Sequence, residues 1–405
     1  MSRLRRWPAA AAALVLVLLL GFASGVFVDQ VYPDQVPSVF LHSSRSQLDS
    51  GQLNQALRII QADYYNRNLN YANLSHGTVR GLVQALGDPY SSYLDPTGFK
   101  NERAGLQGSH NGQIGIAVSF QNGFPVVESL LPGSPAAKAG LQGGDVIVKV
   151  DGKDTMGLTA DQTAVLIRGP AGSHVTLTVQ RVAGAPPLDV DVQRLDFTSP
   201  SVVSLMVNTD ILYVRIYQFG TNTQTELDSQ LSKALPGARG VILDLRDNPG
   251  GLVDAATRAI SEFVSSGEAF EQRDRNGQVE RQNVTGTHPA PTIPLIALVN
   301  ANSASASEIT AGSLQARGRA MLVGTKTFGK GSVQLDYPLL DGSDLHITIK
   351  HWFLPNGQSV DKVGLTPDYA VSLPNRADMF DVVEPARGHA GDTQLNRALE
   401  LMPAS

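Results

Sequence analysis

Leu295-Ile-Ala-Leu-Val299 is an unbroken apolar run that gives way, within a few small residues, to the helix-prone segment Glu308-Ile-Thr-Ala-Gly-Ser-Leu-Gln-Ala-Arg317. An apolar run of that length reads as a buried strand, and the residues after it as a tight turn and a helix. The same grammar occurs upstream, where Gly240-Val-Ile-Leu-Asp-Leu245 meets Arg246-Asp-Asn-Pro-Gly-Gly251 and a helix begins near Leu252. Ile211–Phe219 reads as a further strand, Thr223–Ala234 as a helix, Met321–Val323 as a strand, and Ser332–Tyr337 with Asp344–Phe353 as a long pair. Strands and helices in this order predict an α/β architecture, a mixed sheet with flanking helices.

At 405 residues the chain is long for one core, so two or three domains are expected. Arg3, Arg5 and Arg6 precede an apolar stretch from Trp7 to Val28, the pattern of a secretory signal or an uncleaved membrane anchor. The stretch is near the ~20 residues that span a bilayer, which favours an anchor. Ala23-Ser24-Gly25 would nevertheless suit a signal peptidase. The body after Asp29 is expected outside the cytoplasmic membrane, in the cell envelope or secreted. Residues 29–45 read as a tether, and helices are expected over Ser50–Asp63 and Leu74–Leu86, giving a small helical N-terminal domain within 29–104.

From 105 to 195 the texture changes to short strands and glycine turns, with strands over Pro125–Leu130, Asp145–Val150 and Val175–Val179 and a helix over Thr159–Ile167. Ser134-Pro-Ala-Ala-Lys-Ala-Gly-Leu-Gln-Gly-Gly-Asp-Val-Ile147 resembles a PDZ domain of the bacterial protease type. Such domains add an extended peptide to a sheet edge and capture its terminal carboxylate on backbone amides. That resemblance makes Gln113, Ile114, Gly115 and Ile116 the carboxylate loop. The final side chain of the peptide would then enter a pocket lined by Ile114, Ile116 and the helix around Val165. Residues 196–405 would form the remaining domain, closed by a C-terminal helix.

Composition removes several classes. Cysteine is absent, which excludes disulfides, a cysteine nucleophile and thiolate metal sites. A net charge of −5 gives no hint of nucleic-acid binding. The eight histidines are scattered, with no His-x-x-x-His or His-Glu pair, so a metal centre or a Ser–His–Asp triad has no support. Gly329-Lys330 is followed by Gly331 rather than serine or threonine, so there is no phosphate loop. No cofactor and no metal are expected.

The chemistry-bearing residues left are a serine run and a lysine. A serine needs a neighbouring base, and a lysine serves if burial lowers its pKa. Ser303-Ala-Ser-Ala-Ser-Glu308 places a serine at a helix start, and Lys330 lies between two glycines. Ser305-Ala-Ser-Glu308 also fits a plain capping box. Ser303, Ser305 and Ser307 are equivalent by spacing alone. The diglycine at 250–251 would present backbone N–H groups at a helix start, as an ordinary turn or an oxyanion hole does. Asp244, Arg246 and Asp247 suit an ion-paired strand end better than an acid/base site.

Gly87-Asp-Pro-Tyr-Ser91, the PDZ signature, Asp244-Leu-Arg-Asp-Asn-Pro-Gly-Gly251, Ser303–Glu308, Thr327-Phe-Gly-Lys-Gly331 and Gly364-Leu-Thr-Pro-Asp368 occur in the order of a known family. The chain resembles the C-terminal processing peptidases, tail-specific serine proteases with a PDZ domain. The resemblance implies Ser305 as nucleophile, Lys330 as general base, Gln334 as its orienting partner, and the N–H groups of Gly251 and Ala306 as oxyanion hole. It also implies a core of the crotonase (ClpP/crotonase) type. Asn302, Thr325 and His351-Trp352 depart from the usual pattern without removing a proposed catalytic group. The expected function is that of an exported, ATP-independent serine endopeptidase acting on proteins with a free C-terminus. Membrane contact would run through the N-terminal segment if it is retained, and a homo-oligomer is compatible with this reading. A catalytically silent PDZ scaffold and a small-ester acyl hydrolase are the competing readings.

Overall fold

The computed structural model describes residues 50–403 apart from 159, 182–185, 286–289, 291, 383–384 and 386–387. The expected signal or anchor (1–28) and tether (29–45) lie outside the described residues. No helix among the described residues is long and apolar enough to cross a membrane. The chain divides into two units, Met1–Tyr71 and Ala72–Ser405. In the first, the helix Ser50–Asp63 forms where the apolar spacing predicts it, and Leu53, Leu57, Ile59 and Ile60 on it are exposed.

In the second unit, the helix Tyr71–Gln84 begins earlier than Leu74 and ends before Leu86. Ser92–Leu94 then pairs with residues 344–346 of the long strand Asp344–Phe353, whose residues 350–353 pair with Glu268–Asp274 farther along the same edge and whose opposite edge carries Ser332–Pro338. Two segments far apart in the chain therefore meet on one hairpin.

The PDZ-like region is a sheet in the order Ile116–Gln121, Phe124–Leu130, Val146–Val150, His174–Gln180, Leu188–Gln193. Val127, Ile147, Leu177, Val179 and Val192 fill its core, since alternate residues of each strand face inward. Leu188–Gln193 extends the sheet beyond the last strand expected from sequence. Its Leu-Asp-Val-Asp-Val alternation leaves one polar face in solvent.

The C-terminal core is a six-stranded sheet in the order Val202–Val207, Ile211–Ile216, Gly240–Asp244, Leu295–Val299, Met321–Gly324, Tyr369–Ala370. Its first pair is antiparallel and the remaining pairs are parallel. Gly240–Asp244 and Leu295–Val299 are buried at every position, as parallel strands covered on both faces must be. One face, with Val241, Leu243, Ala297 and Val299, packs with Leu227 and Leu231, Ala256 and Ile260, and Ile309 and Leu314. These come from the helices Thr223–Ala234, Val253–Ser261 and Ala306–Ala316. The opposite face, with Tyr213, Ile242, Ile296 and Leu298, packs with Leu395, Ala398 and Met402 from the C-terminal segment containing the helix Thr393–Leu401.

Candidate active site

Two parallel strands end side by side, and the turns leaving them build the site. After Gly240–Asp244, the Arg246 guanidinium is fully buried and bonds Asp244, Asp392 and Gln394. This is the ion-paired strand end anticipated from sequence, and it ties the turn to the start of the C-terminal helix. Asn248 holds the next step: its Nδ2 donates to Ile216 O at 2.8 Å and its Oδ1 accepts the Gly250 N–H at 2.9 Å.

Gly250 and Gly251 have φ of +100° and +136°, a region that L side chains rarely enter. A methyl group on Gly250 would lie 2.8 Å from Ser305 Cβ and 2.9 Å from the Ala306 nitrogen. The diglycine is therefore what lets this turn approach the serine run.

The three serines are not equivalent in space. Ser303 Oγ donates to Leu245 O at 2.8 Å and accepts the Asn300 N–H, and Ser307 Oγ donates to Asn248 O at 2.9 Å. Both are buried ties between the two turns. The Ser305 hydroxyl oxygen faces the Glu308 backbone N–H in a capping box, and its proton has no acceptor among the described residues. Its backbone sits at φ +54°, ψ −115°, a strained conformation for a non-glycine residue at a strand-to-helix turn. The N–H groups of Gly251 and Ala306 are likewise without hydrogen-bond acceptors among the described residues.

Glu308 does more than close a capping box. Its Oε2 accepts the Ser305 N–H at 3.0 Å and the Lys330 N–H at 2.8 Å, and its Oε1 accepts Thr327 Oγ1–H at 2.5 Å and the Gly329 N–H at 2.7 Å. One buried carboxylate thus fixes the serine turn against the lysine loop. Burial pushes its pKa up, and these four donors oppose the shift. Spacing shows the glutamate as a cap but gives no sign of the second loop.

Lys330 is half-buried, and its Nζ makes no hydrogen bond or ion pair among the described residues. Burial lowers its pKa, against the pull of Asp88, Glu102 and Glu308. Nζ lies 5.2 Å from the centre of the Tyr90 ring. The lysine carbonyl accepts the Trp352 indole N–H at 3.0 Å, which gives the unusual His351-Trp352 pair a holding role.

Gln334 does not reach Lys330: its Nε2 donates to Ser332 Oγ at 2.8 Å and Thr348 Oγ1 at 2.9 Å. The orienting role implied by the resemblance is instead connected through the hairpin to the N-terminal motif. Thr348 N–H donates to Ser91 Oγ at 3.0 Å, and Ser91 Oγ–H donates to Asp88 at 2.6 Å. The Asp88–Ser91 turn, which the sequence offers as a family marker, is part of the surroundings of Lys330.

In the PDZ-like region, Ile116–Gln121 is an edge strand, as a peptide-accepting strand must be. Gln113 ends the strand Ser109–Gln113, which pairs with Leu195–Thr198. Gly115 has φ +78°, and a methyl there would meet Ser134 Cβ at 2.3 Å. The expectation for the Ile114 side chain needs correction: it is 1% exposed, inside the core with Val127 and Ile147, and cannot line an open pocket. Ile116 is partly buried against that core, and Val165 is 75% exposed.

Comparison with known proteins agrees with this organisation. Residues 210–371 match Peptidase family S41, 126–181 a PDZ domain, and 34–97 the N-terminal domain described as that of the activating protease CtpB. A carboxy-terminal-processing protease of Bartonella bacilliformis is 38% identical over 327 residues, 78% of this chain and 75% of that protein. The carboxy-terminal processing protease CtpA of Bacillus subtilis is 34% identical over 347 residues, 85% of this chain and 74% of its own. Among solved structures, a photosystem II D1 C-terminal processing protease superposes with a TM-score of 0.62 at 27% identity, covering 82% of this chain and 89% of that one. The chain belongs to the S41 peptidases, among the carboxy-terminal processing serine proteases that carry a PDZ domain.

Proposed function

We propose that this protein cleaves peptide bonds near the C-termini of exported proteins with Ser305 as nucleophile and Lys330 as general base. The observation that carries the reading is the shared Glu308 oxygen, which holds the Ser305 and Lys330 backbones together while, among the described residues, the Ser305 hydroxyl proton has no acceptor and Lys330 Nζ makes no hydrogen bond or ion pair. Neutral Lys330 takes the proton as Ser305 Oγ attacks the scissile carbonyl. The oxyanion that forms is met by the N–H groups of Gly251 and Ala306, at the positive end of the helix Ala306–Ala316. The protonated lysine then gives its proton to the leaving amine, and water hydrolyses the acyl-enzyme by the same route.

Gln334 acts through Thr348 and Ser332, keeping the hairpin beside the base in register. The PDZ domain recruits free C-termini at its edge strand, and the layered core is read as crotonase-like. The basic residues and apolar run at the N-terminus support a body that lies outside the cytoplasmic membrane.

The test is to incubate protein lacking residues 1–28 with an unfolded protein and follow products by mass spectrometry. Cleavage by the wild type and none by Ser305→Ala is expected. Equal inactivity of both would favour a silent scaffold, and turnover of esters without peptides would favour an acyl hydrolase.

A further inference from the structure

Asp336, Asp344 and His346 bring ligand-type atoms together, all within 4.8 Å of one another. The hairpin register explains why. Asp336 pairs across from His346, Pro338 pairs across from Asp344, and residues two apart on a strand share a face. The next rung on that face is the Gln334–Thr348 pair. Spacing along the chain hides the cluster, because Asp336 and His346 are ten residues apart and meet only when the hairpin closes.

Exposed acids cluster on many surfaces without a ligand, and His346 Nδ1 lies 2.6 Å from Asp336 Oδ1, a pair complete in itself. Asp344 is different. It is 0% exposed, yet neither of its carboxylate oxygens has a hydrogen-bond partner among the described residues. Buried carboxylates are otherwise found paired, hydrogen-bonded or coordinating a cation. Burial and the Asp336 carboxylate push the Asp344 pKa up, while His346, Arg103 and the Tyr337 N–H pull it down without meeting hydrogen-bond geometry. Glu102 adds a third carboxylate close enough to feel His346, Asp336 and Asp344. The cluster is left with two buried carboxylate oxygens that accept from no donor among the described residues.

We infer that Asp336, Asp344 and His346 form a binding site for a divalent metal ion. Two carboxylates with one imidazole suit zinc or manganese better than calcium, which takes oxygen ligands. An ion there would join the two strands of the hairpin one rung from Gln334 and Thr348, satisfying both oxygens of Asp344.

The full chain, stripped with a chelator, is titrated with Zn(II), Mn(II) and Ca(II) by calorimetry and melted with and without each ion. One equivalent of zinc or manganese should bind, calcium should bind more weakly, and the melting point should rise with the bound ion. His346→Ala should weaken binding by at least about tenfold. Asp344→Asn removes the buried charge: its metal-free form should melt no lower than the wild type, and the metal-induced rise should vanish. Damage to the fold would not produce that pair of results. Absence of stoichiometric binding to the wild type, or an undiminished rise in Asp344→Asn, overturns the site.

Discussion

Ser305 and Lys330 donate their main-chain N–H groups to a single atom, Oε2 of Glu308, at 3.0 and 2.8 Å. The spacing of the proposed nucleophile and base along the backbone is thereby tied to a third residue that has no chemistry of its own to perform. Because Oε1 is also filled, by Thr327 and Gly329, the carboxylate has no slack in which to rotate.

Glu308→Gln should test this. An amide presents one oxygen and one NH2, so two of the four donors would face another donor. Each charge-assisted bond lost is worth roughly 1.5–3 kcal/mol. We expect peptide cleavage to fall by at least about a hundredfold, equivalent to ~2.7 kcal/mol, with the fold retained by circular dichroism. Near-normal kcat in Glu308→Gln would mean that the bridge does not position the pair.

The serines should separate cleanly by phenotype. Ser305→Ala should abolish cleavage while costing no more than the roughly 1 kcal/mol of a lost N-cap. Ser305→Gly should be equally dead and at least as stable, since glycine relieves a backbone held at φ +54°. Ser303→Ala and Ser307→Ala should keep cutting but melt earlier, by about 1 kcal/mol for each buried tie lost. Activity surviving in Ser305→Ala and lost in Ser307→Ala would reverse the assignment.

Lys330 gives the pH dependence. Burial lowers its pKa from the ordinary value of 10.5, so it sheds its proton at a lower pH than in the unfolded chain. With the neutral form as the proposed base, kcat/KM should rise with pH through that lowered pKa. Below the unfolded value the unfolded chain binds more protons, so this group makes stability rise with pH over the same window. Lys330→Arg keeps the charge, cannot lose it, and should be inactive. A pH–rate profile that falls across this window would exclude lysine as the base.

Export is tested by topology. The N-terminal arginines should stay cytoplasmic while the body is exported. Protease added outside spheroplasts should digest the body of the protein, and full protection would locate it in the cytoplasm.

How much of the molecule can be read from its sequence varies by scale. The strands over Gly240–Asp244 and Leu295–Val299 are legible because burial on both faces leaves no polar position in them, apart from Asp244 at the end. Leu188–Gln193 escapes notice because an alternating polar strand with Pro186-Pro187 before it looks like a loop. Spacing cannot choose among three serines; the hydroxyl partners of Ser303 and Ser307, Leu245 and Asn248, sit 58 and 59 residues away. The link from Gln334 through Thr348 to Ser91 spans 257 positions and belongs to sheet pairing, which no local pattern encodes. Ile114 misleads for a related reason: its apolar character suits a ligand pocket and a core equally, and tertiary packing decides for the core.

That correction sharpens the last prediction, on substrate choice. If the edge strand Ile116–Gln121 receives a peptide tail, affinity comes from main-chain pairing and from N–H groups of the 113–116 loop on the terminal carboxylate. An amidated tail loses charge-assisted bonds worth roughly 1.5–3 kcal/mol each, so at low concentration it should be cut at least about tenfold more slowly. Ile114→Asp is not a test of binding, because a carboxylate placed at a 1%-exposed core position should unfold the PDZ domain. Val165→Asp is the better probe: at 75% exposure it should leave folding intact while disturbing an apolar final side chain that packs on its helix. In a competition between one peptide with a free carboxylate and the same peptide amidated, wild type should prefer the free form. Val165→Asp should lose affinity for apolar tails while Ser305 still reacts with a small acylating probe. Equal cleavage of the two peptides by the wild type would remove tail selection from the function and leave a general envelope protease.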